Sequence, residues 1–191
     1  MILEKQITLS IYSQESKNVT RGATFFDNIK ESDYVLAFFP CTRFEAKVPL
    51  IARAEGYGMD KWDNARKLEY SRKIVSELNH NYQLITKLFI ICGRKHLQLI
   101  LENPYSHPHF LIDYFPIKPK IIHNDRSIYG DYFKKPTQYW FYNCEPKDNF
   151  FFKNLQTPGH MMKTIEKTSN KIQRSMISPT YANRFIREFI M

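Results

Sequence analysis

The chain has 191 residues, 43% of them hydrophobic and 15% aromatic, which fits one folded domain with a sizeable core and excludes a low-complexity chain. A net charge of +9 favours a polyanionic partner, and three widely spaced cysteines (Cys41, Cys92, Cys144) argue for reduced thiols, not a disulfide framework. No apolar run reaches 18 residues and Met1-Ile2-Leu3-Glu4-Lys5-Gln6 lacks a signal-peptide layout, so a soluble cytoplasmic protein without a membrane partner is expected.

In chain order, Ile7-Thr8-Leu9-Ser10-Ile11-Tyr12 alternates and predicts a short strand, followed by polar residues and a turn through Gly22 to Asp27. Tyr34-Val35-Leu36-Ala37-Phe38-Phe39 is an unbroken run of β-favouring residues that stops at Pro40. That is the pattern of a central strand covered on both faces. Residues 45–58, with Pro49, Gly56 and Gly58, read as a mobile loop over the strand end. Asp60 or Asp63 can cap the next helix. Its stripe runs through Leu68, Ser71, Val75, Leu78, Tyr82, Ile85, Phe89 and Cys92, with Asn79-His80-Asn81 as a point where it can break. Gly93 with Arg94 and Lys95 makes a helical stop.

Leu97-Gln98-Leu99-Ile100-Leu101 is the next strand and runs into Glu102-Asn103-Pro104. His107 to Phe115 predicts a short helix with Phe110, Leu111, Tyr114 and Phe115 facing inward, and Lys120–His123 another strand. Thr137–Tyr142 is an aromatic strand, and Ser178 with Pro179 opens a closing helix. The chain is thus a single α/β domain over 1–191, with a mostly parallel sheet flanked by helices and a basic segment over about 145–191.

Chemistry concentrates where two strands end. In open α/β sheets, ligands bind beyond the carboxyl ends of the strands, where Pro40-Cys41-Thr42 and Glu102-Asn103-Pro104 would both lie. One strand delivers a thiol and the other a carboxyl group to the same rim. Alone, such a cysteine is more often an inert buried hydrophobe than a nucleophile. His107, His109 and His123 lack the accompanying Cys or carboxylate spacing of a metal site, and no metal is expected.

The order of the pieces adds to this. Phe39-Pro40-Cys41-Thr42 with Phe44 comes first, then Leu101-Glu102-Asn103-Pro104. Tyr129-Gly130 with Lys134-Lys135-Pro136-Thr137 and Trp140 follows, and then Arg174-Ser175-Met176-Ile177-Ser178-Pro179. The series resembles the cytosine-C5 DNA methyltransferase family, most closely its compact phage and prophage type, from about Asp33 to the C-terminus. The resemblance implies a partial Rossmann-like methyltransferase fold, DNA as partner and S-adenosylmethionine as methyl donor. Cys41 would add to C6 of a flipped cytosine while Glu102 protonates N3, giving an enamine that accepts a methyl at C5. Pro40, Thr42, Asn103 and Pro104 would shape the pocket, and Arg126, Lys134, Lys135, Thr137 and Arg174 would hold base or DNA. Lys134-Lys135 read equally well as a solvated loop.

The sequence departs from the family in three places, one of them the glutamine–arginine pattern of many members, which is absent unless Asn124-Asp125-Arg126 is a degenerate version. The only glycine before Cys41 is Gly22, so the glycine-rich turn that cradles the cofactor is missing and the cofactor-binding residues are unassigned. Glu45 stands where members commonly have serine. A truncated or degenerate methyltransferase is therefore expected, completed by a second polypeptide or by homo-oligomerisation. The alternative is a catalytically inactive DNA-binding or protein-interaction module of the same fold.

Overall fold

The computed structural model describes residues 7–10, 25–39, 43–149 and 176–191, with side chains described from Phe26 onward. Five strands form one sheet: β1 (Ile7–Ser10), β2 (Tyr34–Phe38), β3 (Gln98–Pro104), β4 (Ile121–His123) and β5 (Thr137–Tyr142). Their spatial order is β1-β2-β3-β5-β4. The helices are α1 (Val48–Ala52), α2 (Asn64–Arg94), α3 (Phe110–Tyr114) and α4 (Pro179–Phe189).

The sheet is mixed, which corrects the expectation that it is mostly parallel. β1, β2 and β3 run parallel, with α2 as the crossover from β2 to β3, whereas β5 is antiparallel to both β3 and β4. The expectation rested on strands that are apolar on both faces. That pattern reports cover on both faces, and helices on the two sides supply it whatever the strand direction.

Alternation along β3 and β5 divides the core. Leu99, Leu101 and Trp140 pack with Ile85, Phe89 and Cys92 of α2. Ile100, Tyr139 and Phe141 pack with Tyr181, Phe185 and Phe189 of α4. Trp140 is fully buried and its indole N–H donates to the Ile117 carbonyl at 2.9 Å, so the largest core side chain carries no unpaired polar atom. Ser178 caps α4 by accepting the Tyr181 N–H at 3.0 Å, as the sequence predicts.

The long helix departs from the predicted stripe. Asp63 is its N-cap, accepting the Arg66 N–H at 2.9 Å, and the helix runs unbroken through Asn79-His80-Asn81. Its C-terminal half buries Ile85, Phe89 and Cys92 as expected, but Leu68 is 71% and Val75 53% exposed, and Ile74 is buried instead. The reason is length. Thirty-one helical residues extend about 46 Å, roughly twice the span of the seven-residue β3, so the first half overshoots the sheet and packs on α1. The segment over 45–58 is thus not wholly loop, since it contains α1. Tyr114 of α3, expected inside, is 68% exposed.

Gly93 is likewise not a helical stop. It lies inside α2, which Lys95 caps, and a Cβ there would sit 2.6 Å from the Tyr142 hydroxyl oxygen. Tyr142 is held in turn by Phe89, at 5.1 Å between ring centroids. Gly93→Ala is expected to cost about 1 kcal/mol despite the better helix propensity of alanine. In a Tyr142→Phe background, where the nearest atom would be 3.4 Å away, the same change should become neutral or stabilising by up to about 1 kcal/mol. Urea midpoints of the four proteins measure the reversal.

Candidate functional site at the ends of β2 and β3

The parallel register makes Phe38 and Glu102 direct partners at the carboxyl ends of β2 and β3. Neighbouring side chains on β3 point to opposite faces, so Glu102 and Asn103 serve different sides of the sheet. Asn103 is fully buried; its amide N–H donates to the Phe39 carbonyl at 3.3 Å. Its Oδ1 lies 3.2 Å from His109 Nε2 and, being the acceptor end of that amide, assigns the proton to Nε2. Burial holds His109 neutral, pushing its pKa down to about 4 against the opposing charge of Asp113. Asn103 thus ties the end of β3 to the residue that immediately precedes Pro40.

Glu102 faces a buried polar cluster on the α4 side. Its carboxyl is 3.6 Å from Arg126 Nη1, and Arg126 is fully buried in the short turn between β4 and β5. Arg126 Nη2 is ion-paired with Asp131, which is 1% exposed. Thr137 Oγ1 accepts from Arg126 Nη1 at 3.4 Å, and the Tyr181 ring lies under the guanidinium at 4.6 Å. Beyond it, the Tyr139 and Tyr181 hydroxyls are 2.6 Å apart, and His123 Nδ1 is 2.8 Å from the Tyr181 hydroxyl. Burial, then the charges of Arg126 and Arg184, bring the His123 pKa down to about 4.

Within this cluster the Glu102 carboxyl is held above its ordinary pKa. Loss of water is the main cause and the Asp131 charge adds to it, while Lys135 and Arg126 pull the other way. Glu102 Oε1 is buried and accepts no hydrogen bond among the described residues. In its protonated form such a carboxyl, with Oε1 free of hydrogen bonds, can donate to, or accept from, a ligand at the strand ends.

The sequence-predicted site residues separate into three groups. Glu102, Asn103, Pro104, Arg126 and Thr137 come together: the Pro104 carbonyl accepts from Gln138 Nε2 at 3.0 Å, and Pro104 pairs with Thr137 in the ladder. Arg126 and Thr137, expected to hold base or DNA, are buried and bonded to each other; Arg126 is also held by the acids, and the Thr137 hydroxyl donates to the Lys135 carbonyl at 3.1 Å. Lys134 and Lys135 lie at the rim; Lys134 is exposed, 3.9 Å from Asp125, and Lys135 is half-buried. Pro40, Cys41, Thr42 and Arg174 lie outside the described residues. Asp131, Tyr139 and Tyr181 have no motif to announce them, since what joins them is the docking of α4 on β5.

On the opposite face, a cleft of about 380 Å³ opens between α1 and α3, walled by Phe44, Val48, Phe110 and Tyr114. Among the described residues no group of three His, Cys, Asp or Glu side chains could hold a metal ion, and no helix is long and apolar enough to cross a membrane. Comparison with protein-family models, with curated proteins and with solved structures finds no match.

Proposed function

We propose that the chain carries the base-activating half of a cytosine-C5 DNA methyltransferase, with Cys41 as nucleophile and Glu102 as the acid. The observation that carries this reading is the pairing of Phe38 with Glu102, which sets the acid one strand away from the chain that continues into Pro40-Cys41-Thr42. A buried carboxyl raised by desolvation supports it further, because only the protonated form can serve N3 of the base.

In the proposed step the Cys41 thiolate adds to C6. The C5–C6 π electrons move through the ring, and N3 takes the Glu102 proton as the enamine forms. C5 is then nucleophilic; it can take up a solvent proton, and loss of the original C5 hydrogen, expulsion of the thiolate and return of the N3 proton to Glu102 restore the aromatic base and the acid. In this reading Lys134 and Lys135 at the rim would contact phosphates, and the target base must leave the duplex to reach the acid. The partial Rossmann-like methyltransferase fold belongs to the same proposal, supported by the parallel β1-β2-β3 portion with its α2 crossover.

The methyl donor implied by the resemblance is S-adenosylmethionine, and the described residues do not fit it. Gly56 and Gly58 lie between α1 and α2, Gly93 inside α2 and Gly130 before β5, so no glycine-rich turn follows a strand among them. No step is derived through the cofactor; a second polypeptide, or residues outside the described ones, would supply its site.

Exchange at C5 tests base activation without any donor. DNA tritiated at cytosine C5 is expected to release tritium to water in the presence of the protein, and Cys41→Ala should abolish the release. No release above background from single- or double-stranded DNA, in protein that still binds DNA, would favour the inactive DNA-binding module.

A further inference from the structure

The cluster around Glu102 contains two acids and one cation, all buried, and that imbalance has a consequence. If both carboxyls were ionised, the buried Arg126 and the half-buried Lys135 at the rim would have to answer them, so one negative charge would stand without a buried cation, which is costly. The geometry decides which acid stays charged. Asp131 is in direct ion-pair contact with Arg126 Nη2, and its other oxygen accepts the backbone N–H of Ser178 at 2.9 Å, so both oxygens are engaged as acceptors. Glu102 stands off at 3.6 Å from Nη1, without a hydrogen bond from any described residue to Oε1. The other groups around Glu102 are Lys135 at the rim and the hydroxyls of Tyr139 on β5 and Tyr181 on α4, both of which burial keeps protonated.

From this arrangement we infer that Asp131 is a positioning residue: by holding the Arg126 guanidinium to itself, it leaves Glu102 as a neutral carboxylic acid at the strand ends. The inference rests on the proposed role of Glu102 as proton donor and adds what keeps the proton there. Asp131 also couples that state to the C-terminal helix. Its other oxygen holds the N-cap residue of α4, and the Ser178 hydroxyl bonds the Gly130 carbonyl next to it. Docking of α4 and protonation of Glu102 are therefore parts of one arrangement.

The test needs neither DNA nor cofactor. The carbonyl stretch of a protonated, buried carboxylic acid is read by infrared spectroscopy between pH 5 and 8 and assigned by its loss in Glu102→Gln. The unaltered protein should keep this band at neutral pH. In Asp131→Asn, whose amide oxygen can still accept from Ser178, the band should titrate away at least about one pH unit lower, because Arg126 is released to stabilise the Glu102 carboxylate. Asp131→Glu should retain it. A folded Asp131→Asn protein with an unchanged band overturns the inference, as does an unaltered protein without the band at neutral pH.

If Asp131→Asn does not fold, carboxyl-carbon NMR of the unaltered protein decides the matter. At neutral pH, a Glu102 signal of a protonated carboxyl beside an Asp131 signal of a carboxylate supports the inference, and the reverse assignment or two carboxylates overturns it. A protein that shows the coupled band but releases no tritium from DNA would sink the methyltransferase reading alone.

Discussion

Arg126→Met is expected to lower stability by about 3–5 kcal/mol at pH 7, the cost of removing one member of a buried charged network. Arg126 is fully buried, and its loss strands the Asp131 carboxylate, which is 1% exposed, without its cation. The Tyr181 ring below and the Thr137 hydroxyl beside it lose their partner too. Arg126→Lys should recover only part of the loss, because one ammonium cannot reach Asp131, Thr137 and the Glu102 side from one point as a planar guanidinium does. Adding Asp131→Asn and Glu102→Gln to Arg126→Met should be less damaging than the sum of the parts, since the Asp131 charge then leaves with its cation and no ionised group is stranded. Urea denaturation of the set measures this. A loss below about 1 kcal/mol for Arg126→Met would mean that water reaches the cluster and that the charge argument built on it does not hold.

Acidification should destabilise the protein through two histidines well before most carboxylates protonate. His109 and His123 are both buried with pKa values near 4, against about 6.5 for an unfolded histidine. Each therefore contributes stability that is fully present above about pH 6.5 and is lost as the pH falls toward 4, because in that window the unfolded chain binds protons that the folded chain refuses. Two such groups amount to at most about 5 kcal/mol between pH 7 and 4.5. Glu102 has the opposite sign. It keeps its proton in the fold where an unfolded glutamate has lost it, so its unfavourable contribution is relieved as the pH falls toward the unfolded value. The net fall should be smaller than the histidine sum, and His109→Gln with His123→Gln should flatten the curve between pH 6.5 and 4.5. Urea midpoints at matched ionic strength measure it; a double variant as acid-sensitive as the parent would place the sensitivity elsewhere.

Local patterns were legible wherever a local cause was sufficient. The apolar runs became β2, β3 and β5, the N-cap residues Asp63 and Ser178 began α2 and α4, and the two predicted strand ends are neighbours in the sheet. The stripe on α2 failed where the helix outran the sheet it packs on, which periodicity cannot measure. Gly93 looked like punctuation and is a point of close approach, which depends on a tyrosine from another strand.

The sequence by itself determined which segments are apolar, where helices can start, and that a thiol and a carboxyl each directly follow an apolar run, although Glu102 proves to lie inside β3; these depend on neighbours along the chain. Tertiary structure alone decided that β5 lies antiparallel beside β3, that α4 covers Glu102, and that Arg126 answers to Asp131. Those outcomes depend on which surfaces meet across tens of residues, and on how burial divides charge among groups that no spacing rule connects.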